Sequence, residues 1–320
     1  MSVVDAPLPV PDIRGSSLSF RRRATNGMAT VFMVVALLVA AIPLVHVMGT
    51  VVAKGADAIS VDWFTKDIPA NLGQTAAQDK INAQFAGGTA DVSATSGALG
   101  MAPAIVGTLL ITGLAALLAI PLGILGAIYL NEYGKRGRLA RMLRFLTDVM
   151  TGVPSVVMGL FIFAVWVLPR GIDGKSAIAG ALALACLMLP IVVRSTEEML
   201  KLVPDNLREA SAALGTRTWR TTMGVVVPAA LPGITSGCML AVARAAGETA
   251  PLLFTIGAVT STNLSLKGFN TALAMQIWSN AAENTTAQTT LAWGAALTLI
   301  AIVLVLTIAA RLVTNRLAIK

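Results

Sequence analysis

VPDNLREASAALGTRTWRTTMGVVVP, residues Val203 to Pro228, is the stretch on which the reading of this chain turns. It is mixed in charge and lies between two strongly apolar runs. Within it Glu209-Ala210 is followed by Gly215, and Pro228 stands at the foot of the next apolar run. Such a segment forms short amphipathic helices on a membrane surface, bent at Gly215. Glycine accepts the backbone angles that close one helix before another begins. The plainer alternative is a solvated connector, the usual meaning of a charge run.

Outward from that stretch the chain is apolar. Of its 320 residues 56% are hydrophobic and 12% are charged. A soluble domain carries roughly 25% charged residues, so this deficit marks a lipid-embedded protein. The net charge is +8, but the basic residues sit in short clusters at the ends of apolar runs. That placement is membrane topology, not a nucleic-acid face. Cys186 and Cys238 lie in apolar runs without ligand-type neighbours, so neither a disulfide framework nor a metal site is indicated. His46, the sole histidine, reads as a bundle-facing side chain.

Taken in order, residues 1–26 carry Pro7, Pro9 and Pro11, include Arg21-Arg22-Arg23, and read as a disordered cytoplasmic tail. Apolar spans are expected at Met28 to Thr50, Pro103 to Leu130, Leu146 to Leu168, Ser176 to Val193, Leu231 to Val259 and Thr290 to Ala310. The expected fold class is therefore all-α, a polytopic membrane protein in which residues 27–320 form one domain of six transmembrane helices. The strongly basic connectors fall on one side, which places both termini in the cytoplasm. Residues 53–102 form an external segment, flexible from Gly87 to Gly100, with Trp63-Phe64 as an anchor among the headgroups. Residues 194–228 are the cytoplasmic loop that contains the opening stretch. Asp148 is expected at the interface, near a helix N-terminus. Gly233 and Gly237 share a face and let helix backbones approach closely. Asn263-Leu-Ser265 and Asn284-Thr-Thr286 match the glycosylation acceptor pattern and are taken as unused.

The chain contains no GxxxxGK[ST] and no HExxH, and its one histidine leaves no nucleophile–base pair. No catalytic residues and no ATP site are therefore assigned. Arg244 and Glu248 are the informative pair, since both stand in otherwise apolar sequence. At this spacing two residues share one face of a helix. Counted from Pro232 at 1.5 Å per residue, Arg244 lies about 18 Å along the axis, near mid-bilayer. A charge there costs roughly 3 kcal/mol on insertion scales. Two readings stand: a self-neutralising ion pair that holds the bundle, or a site for an anion in transit. The planar guanidinium suits the second, because it can donate two parallel hydrogen bonds to an oxyanion. Gly247, between the two, and Pro251, just beyond them, are expected to open the helix around the pair, and Thr249 and Thr255 offer hydroxyls.

The arrangement Glu209-Ala210, Gly215 and Pro228 resembles the coupling-loop motif of ABC importer permeases, with Ser211 where a second alanine is usual and Val225 and Val227 in place of Ile and Leu. Three longer strings carry a closer resemblance: TGVPSVVMGLF (Thr151 to Phe161), LPIVVRSTEEMLKLVPDNLREASAALG (Leu189 to Gly215) and ARAAGETAPLLFT (Ala243 to Thr255). They are similar to the A-type permease of the phosphate-specific transport system, over all six expected spans. The resemblance implies a type I ABC importer permease with cytoplasmic coupling helices. Its partners would be a homologous second permease, two copies of a cytoplasmic ATPase that holds ATP and Mg, and an external phosphate-binding protein. No cofactor would sit in this chain. Arg208, Glu209, Ala210, Ser211 and Gly215 would meet the ATPase. Arg244, Glu248 and Thr249 would line the phosphate path, and Glu248 could accept a hydrogen bond from the proton that phosphate carries and sulfate lacks. A permease for sulfate, molybdate or phosphonate is the nearest alternative. An ion-driven carrier or a channel is a more distant one, since the chain shows no paired halves with matching broken helices.

Overall fold

The computed structural model describes residues 19–69, 100–134, 137–282 and 286–317. The disorder expected of the first residues, the flexible run from Gly87 and the Asn284 acceptor lie outside the described residues. The helices in chain order are α1 (Phe20–Gly55), α2 (Val61–Thr65), α3 (Ala102–Ile128), α4 (Arg138–Gly152), α5 (Ser155–Ile162), α6 (Ala177–Lys201), α7 (Asp205–Ala213), α8 (Thr218–Thr221), α9 (Val227–Ala246), α10 (Ala250–Thr255), α11 (Leu273–Ala282) and α12 (Thr286–Leu317). Among the described residues six helical stretches are long and apolar enough to cross a membrane: Phe20–Ala58, Ala102–Tyr133, Ser155–Gly174, Ala177–Lys201, Thr218–Ala246 and Ala287–Leu312.

The chain divides into two compact units, Met1–Thr50 and Val51–Lys320. The described part of the first is helical from Phe20, so Arg21, Arg22 and Arg23 stand on the first turns of α1 rather than in a tail reaching Asn26. Its apolar side chains, among them Phe32, Leu37 and Leu38, are exposed. A helix that is apolar all round belongs in lipid or against other apolar helices. His46 lies on this helix and is exposed.

The second unit is organised around α6. Glycines bring its neighbours close: Gly123 of α3 lies against Val192, and Gly233 and Gly237 of α9 lie against Met199 and Ser195. In lipid, where apolar burial drives little, small residues add stability by letting backbones pack closely. Ala177, Ala181, Leu184, Met188 and Val192 of α6 are buried at the centre of the resulting core.

Proline sets several boundaries. The third span does not run from Leu146: α4 ends at Gly152, Val153 is extended, and the spanning helix starts at Ser155. Pro154 has no N–H to continue the helix and pushes Val153 out of the helical region. Asp148 therefore lies late in α4, not near an N-terminus, and pairs with Arg194 of α6. Pro228 acts more gently. The helix of span five widens to a π-turn over Thr222–Val226, and Val227 N donates to Thr222 O. The wide turn shifts the acceptors where proline supplies no donor.

Two charged stretches extend helices beyond their expected ends. The fourth span continues from Val193 to Lys201, because Glu197 and Lys201 pair at 2.9 Å along the same helix. The fifth begins at Thr218 and ends at Ala246 instead of running through to Val259. At the end of the bundle remote from α7, Trp63 is not an interfacial anchor. It is fully buried against Gly294, its Nε1 donates to Thr298 Oγ1 at 2.9 Å, and only Phe64 is exposed. The segment after span five is more than a loop. It contains α11, whose Leu273 N donates to the buried Thr108 Oγ1 of α3 at 2.8 Å.

Candidate functional site

Arg244 stands in the last turn of α9, and the helix stops two residues later. Gly247 N still donates to Arg244 O and Glu248 N to Ala245 O, after which the backbone opens until α10 begins at Ala250. Pro251 explains the break, since it cannot donate to the carbonyl of Gly247. Arg244 and Glu248 thus do not sit on one continuous helix. The opened turn nevertheless brings Arg244 Nε to 3.5 Å from Glu248 Oε1. Thr249 Oγ1 donates to Ala274 O of α11 at 3.3 Å. Thr255 is buried and bonds to Pro251 O, so it does not join the pair.

The depth of Arg244 follows from packing. Gly233 meets Met199 and Gly237 meets Ser195, an antiparallel register that carries Arg244 to the level of Met188, the middle of Ala177–Lys201. Its side chain is 62% exposed within this chain, whereas Glu248 is 18% exposed. Pro232, Ser236, Leu240 and Arg244 are all exposed. Their spacing of four puts them on one stripe of α9. A guanidinium at that depth, facing away from its own bundle, is uncovered on the surface where it costs most unless something polar meets it.

The second group lies at the opposite end of span five. Leu200 and Val203 turn the chain off α6, and α7 follows. Arg208 on α7 is the fastening point. Its Nη1 donates to Val203 O (2.7 Å) and Asp205 Oδ1 (3.0 Å), and its Nη2 to Leu200 O (2.9 Å) and Glu132 Oε1 (3.0 Å). Glu132 stands on the π-turn Tyr129–Tyr133 that ends span two. Arg208 thereby binds α7 to spans two and four at once. Nearby, the buried Glu197 carboxylate accepts from Arg144 Nε of α4 and pairs with Lys201, both at 2.9 Å. A buried carboxylate needs such partners, because leaving it unpaired would cost several kcal/mol.

α7 ends in a Schellman turn. Gly215 has φ of +75°, its N–H donates to Ala212 O at 2.9 Å, and Thr216 N donates to Ser211 O at 3.4 Å. Three hydroxyls then close the corner: Ser211 to Thr216 at 2.6 Å, Ser211 to Thr221 at 2.8 Å, and Thr216 to Thr221 at 2.9 Å. They tie α7 to the first turn of span five. The outer face keeps Glu209 and Ala210 exposed, flanked by exposed Leu214 and Trp219. α7 is therefore a short helix held on one side by spans two, four and five, with a mixed apolar and acidic face left open. A cavity of about 450 Å³ lies beneath it, lined by Glu132, Lys201, Arg208, Thr216 and Thr221 among others.

Residues 119–319 match the model of the family described as binding-protein-dependent transport system inner membrane component. The chain belongs to that family. Its relatives include the phosphate transport system permease protein PstA 1 of Mycobacterium tuberculosis, 42% identical over 98% of this chain and 95% of the relative. Another is the phosphate transport system permease protein PstA of Haemophilus influenzae, 38% identical over 84% of this chain and 86% of the relative. Among solved structures, inward-facing conformations of the MetNI methionine ABC transporter superpose with a TM-score of 0.56 at 17% identity, covering 67% of this chain and 94% of that one. A bacterial ABC transporter involved in the import of the acidic polysaccharide alginate gives 0.50 at 14% identity, covering 92% and 99%. At such identities these two report the fold alone, and it is the fold of an ABC importer permease.

This permease thus gathers its singled-out residues into two groups, one at mid-span and one at the end of the bundle. Glu132, Glu197, Thr216 and Thr221 belong to the second group, and the sequence alone does not single them out. Glu132 carried a usable signal, being an acid beside a strongly basic connector. The hydroxyls carried none, since threonine is common in such segments. Among the described residues no three His, Cys, Asp or Glu side chains are placed to hold a metal ion.

Proposed function

We propose that this chain is the membrane-spanning permease subunit of an ATP-driven importer of inorganic phosphate, in which Arg244, Glu248 and Thr249 lie on the path of the ion. The observation that carries the reading is Arg244 itself: a mid-depth guanidinium, exposed on one stripe of span five, with Glu248 drawn beside it by an opened turn. Phosphate is the cargo best supported, because relatives aligned along nearly the whole chain bear that substrate in their names. ATP hydrolysis belongs to a separate subunit, which holds ATP and Mg. Arg208, Glu209, Ala210, Ser211 and Gly215 form the surface on which that subunit docks. Two copies of it, a homologous second permease and an external phosphate-binding protein complete the assembly. The end bearing α7 faces the cytoplasm, as do both termini, in keeping with Arg144, Lys201, Arg208, Arg217 and Arg220 clustered there.

Replacing Arg244 with alanine in the complete transporter, reconstituted in vesicles, tests this. Uptake of radiolabelled phosphate is expected to be abolished while the subunit still inserts and assembles. Normal uptake by that variant rejects the anion-path reading. Uptake that unlabelled sulfate suppresses as well as unlabelled phosphate does would move the cargo to a broader oxyanion class.

A further inference from the structure

A second cation stands along the exposed stripe that leads away from Arg244. Between α9 and α12 lies a crevice of about 160 Å³, lined by Thr235, Ser236, Leu240, Thr307 and Arg311 among others. Ser236 and Leu240 are members of the same exposed stripe as Arg244. Ser236 lies about 12 Å from Arg244 along the helix, at 1.5 Å per residue, on the side toward α7. Arg311 comes from the far end of span six, and among the described residues no ion pair or hydrogen bond engages it.

We infer that this crevice is a phosphate-oxyanion subsite, the station that receives the ion after Arg244 on its way to the α7 end. The inference rests on the reading of Arg244 as part of the anion path. The chemistry fits the ligand. A guanidinium supplies two parallel N–H donors to one oxyanion. Thr235, Ser236 and Thr307 hydroxyls supply more, since each now donates only to a carbonyl one turn back on its own helix. A hydroxyl proton rotates to meet a better acceptor. The physical need is plain as well. An ion held only by Arg244 and Glu248 has no counter-charge on the half of the path that follows, and a bare anion in a narrow low-dielectric passage is strongly disfavoured. Arg311 provides that charge about two helical turns onward. A phospholipid headgroup presents the same phosphate chemistry, so the test separates the two sources.

The experiment uses the assembled transporter, with Cys186 and Cys238 replaced by alanine and Ser236→Cys introduced as a reporter. Inside-out vesicles of purely zwitterionic lipid are treated with a water-soluble, charged thiol reagent. Inorganic phosphate is expected to slow labelling, by mass action about tenfold once it exceeds its dissociation constant about tenfold. Arg311→Gln is expected to remove the protection and Arg311→Lys to keep part of it. Protection should persist with Arg244→Ala, which interrupts the path earlier. Labelling indifferent to phosphate, or protection unchanged by Arg311→Gln, overturns the subsite. So does protection conferred by adding anionic phospholipid and not by inorganic phosphate. A failure of the subsite leaves phosphate uptake and its dependence on Arg244 intact. A failure of the anion-path reading shows instead as uptake that survives Arg244→Ala.

Discussion

Arg208 Nη2 donates to Glu132 Oε1 at 3.0 Å, joining the exposed helix α7 to the end of span two across 76 positions of sequence. The same guanidinium grips the carbonyls of Leu200 and Val203 at the end of span four. Force applied to α7 therefore reaches two spans through one side chain, and a third through the Ser211–Thr216–Thr221 hydroxyls.

If α7 transmits ATPase motion, weakening this joint uncouples hydrolysis from transport. Glu132→Gln leaves Arg208 its carbonyl partners, so the protein is expected to fold with a local loss of about 1–3 kcal/mol. Arg208→Gln loses every bond at once and should uncouple more. The double variant should be no worse than Arg208→Gln, because the two residues act through one contact. The ratio of ATP hydrolysed to phosphate transported in vesicles reads all three, and an unchanged ratio throughout makes the joint a mere connector.

Gly215 tests the corner. No atom lies within 4 Å of where a Cβ would stand, so an added side chain meets no steric block. Its φ of +75° remains unfavourable for other residues. Gly215→Ala is expected to cost about 1–2 kcal/mol in this turn, loosening α7 and reducing ATPase recovered with the purified permease. Gly215→Asn should be milder, since asparagine tolerates the left-handed region. Recovery equal to wild type with both variants would deny the turn any role in docking.

If Glu248 meets the ion, it bears on selectivity. Glu248→Gln would then keep the shape and remove a charge able to accept a hydrogen bond from protonated phosphate and to repel fully ionised sulfate. Preference for phosphate over sulfate, measured by competition, is expected to fall about tenfold, the scale of 1.4 kcal/mol. An unaltered preference would leave Glu248 as a counter-charge to Arg244 and nothing more.

Trp63 is a matter of stability and not of transport chemistry. Trp63→Phe loses the bond to Thr298 and should cost about 1 kcal/mol. Trp63→Ala opens a cavity and should cost about 3–5 kcal/mol. Thermal unfolding of the detergent-solubilised permease ranks the two against wild type. Equal melting of both with wild type would mean the buried indole contributes nothing.

Much of this architecture is written into composition and order. Lipid tolerates neither unpaired backbone nor stray charge, so six apolar lengths, the glycine that ends α7 and the isolated Arg244 and Glu248 could all be read before any fold was in hand. Span ends are less legible in composition. Pairing along α6 carries the helix past Val193 to Lys201, and Pro154 starts the third span later than apolarity alone suggests.

What only the tertiary structure decided is which distant residues meet. Trp63 turns inward because Gly294 leaves room for it and Thr298 takes its N–H. Arg208 finds Glu132 because the glycine-lined faces of spans two and five both close on span four. Local composition specifies how long an apolar helix is and where it breaks. The choice of neighbours depends on side-chain shapes fitting across a common core, which no single segment contains.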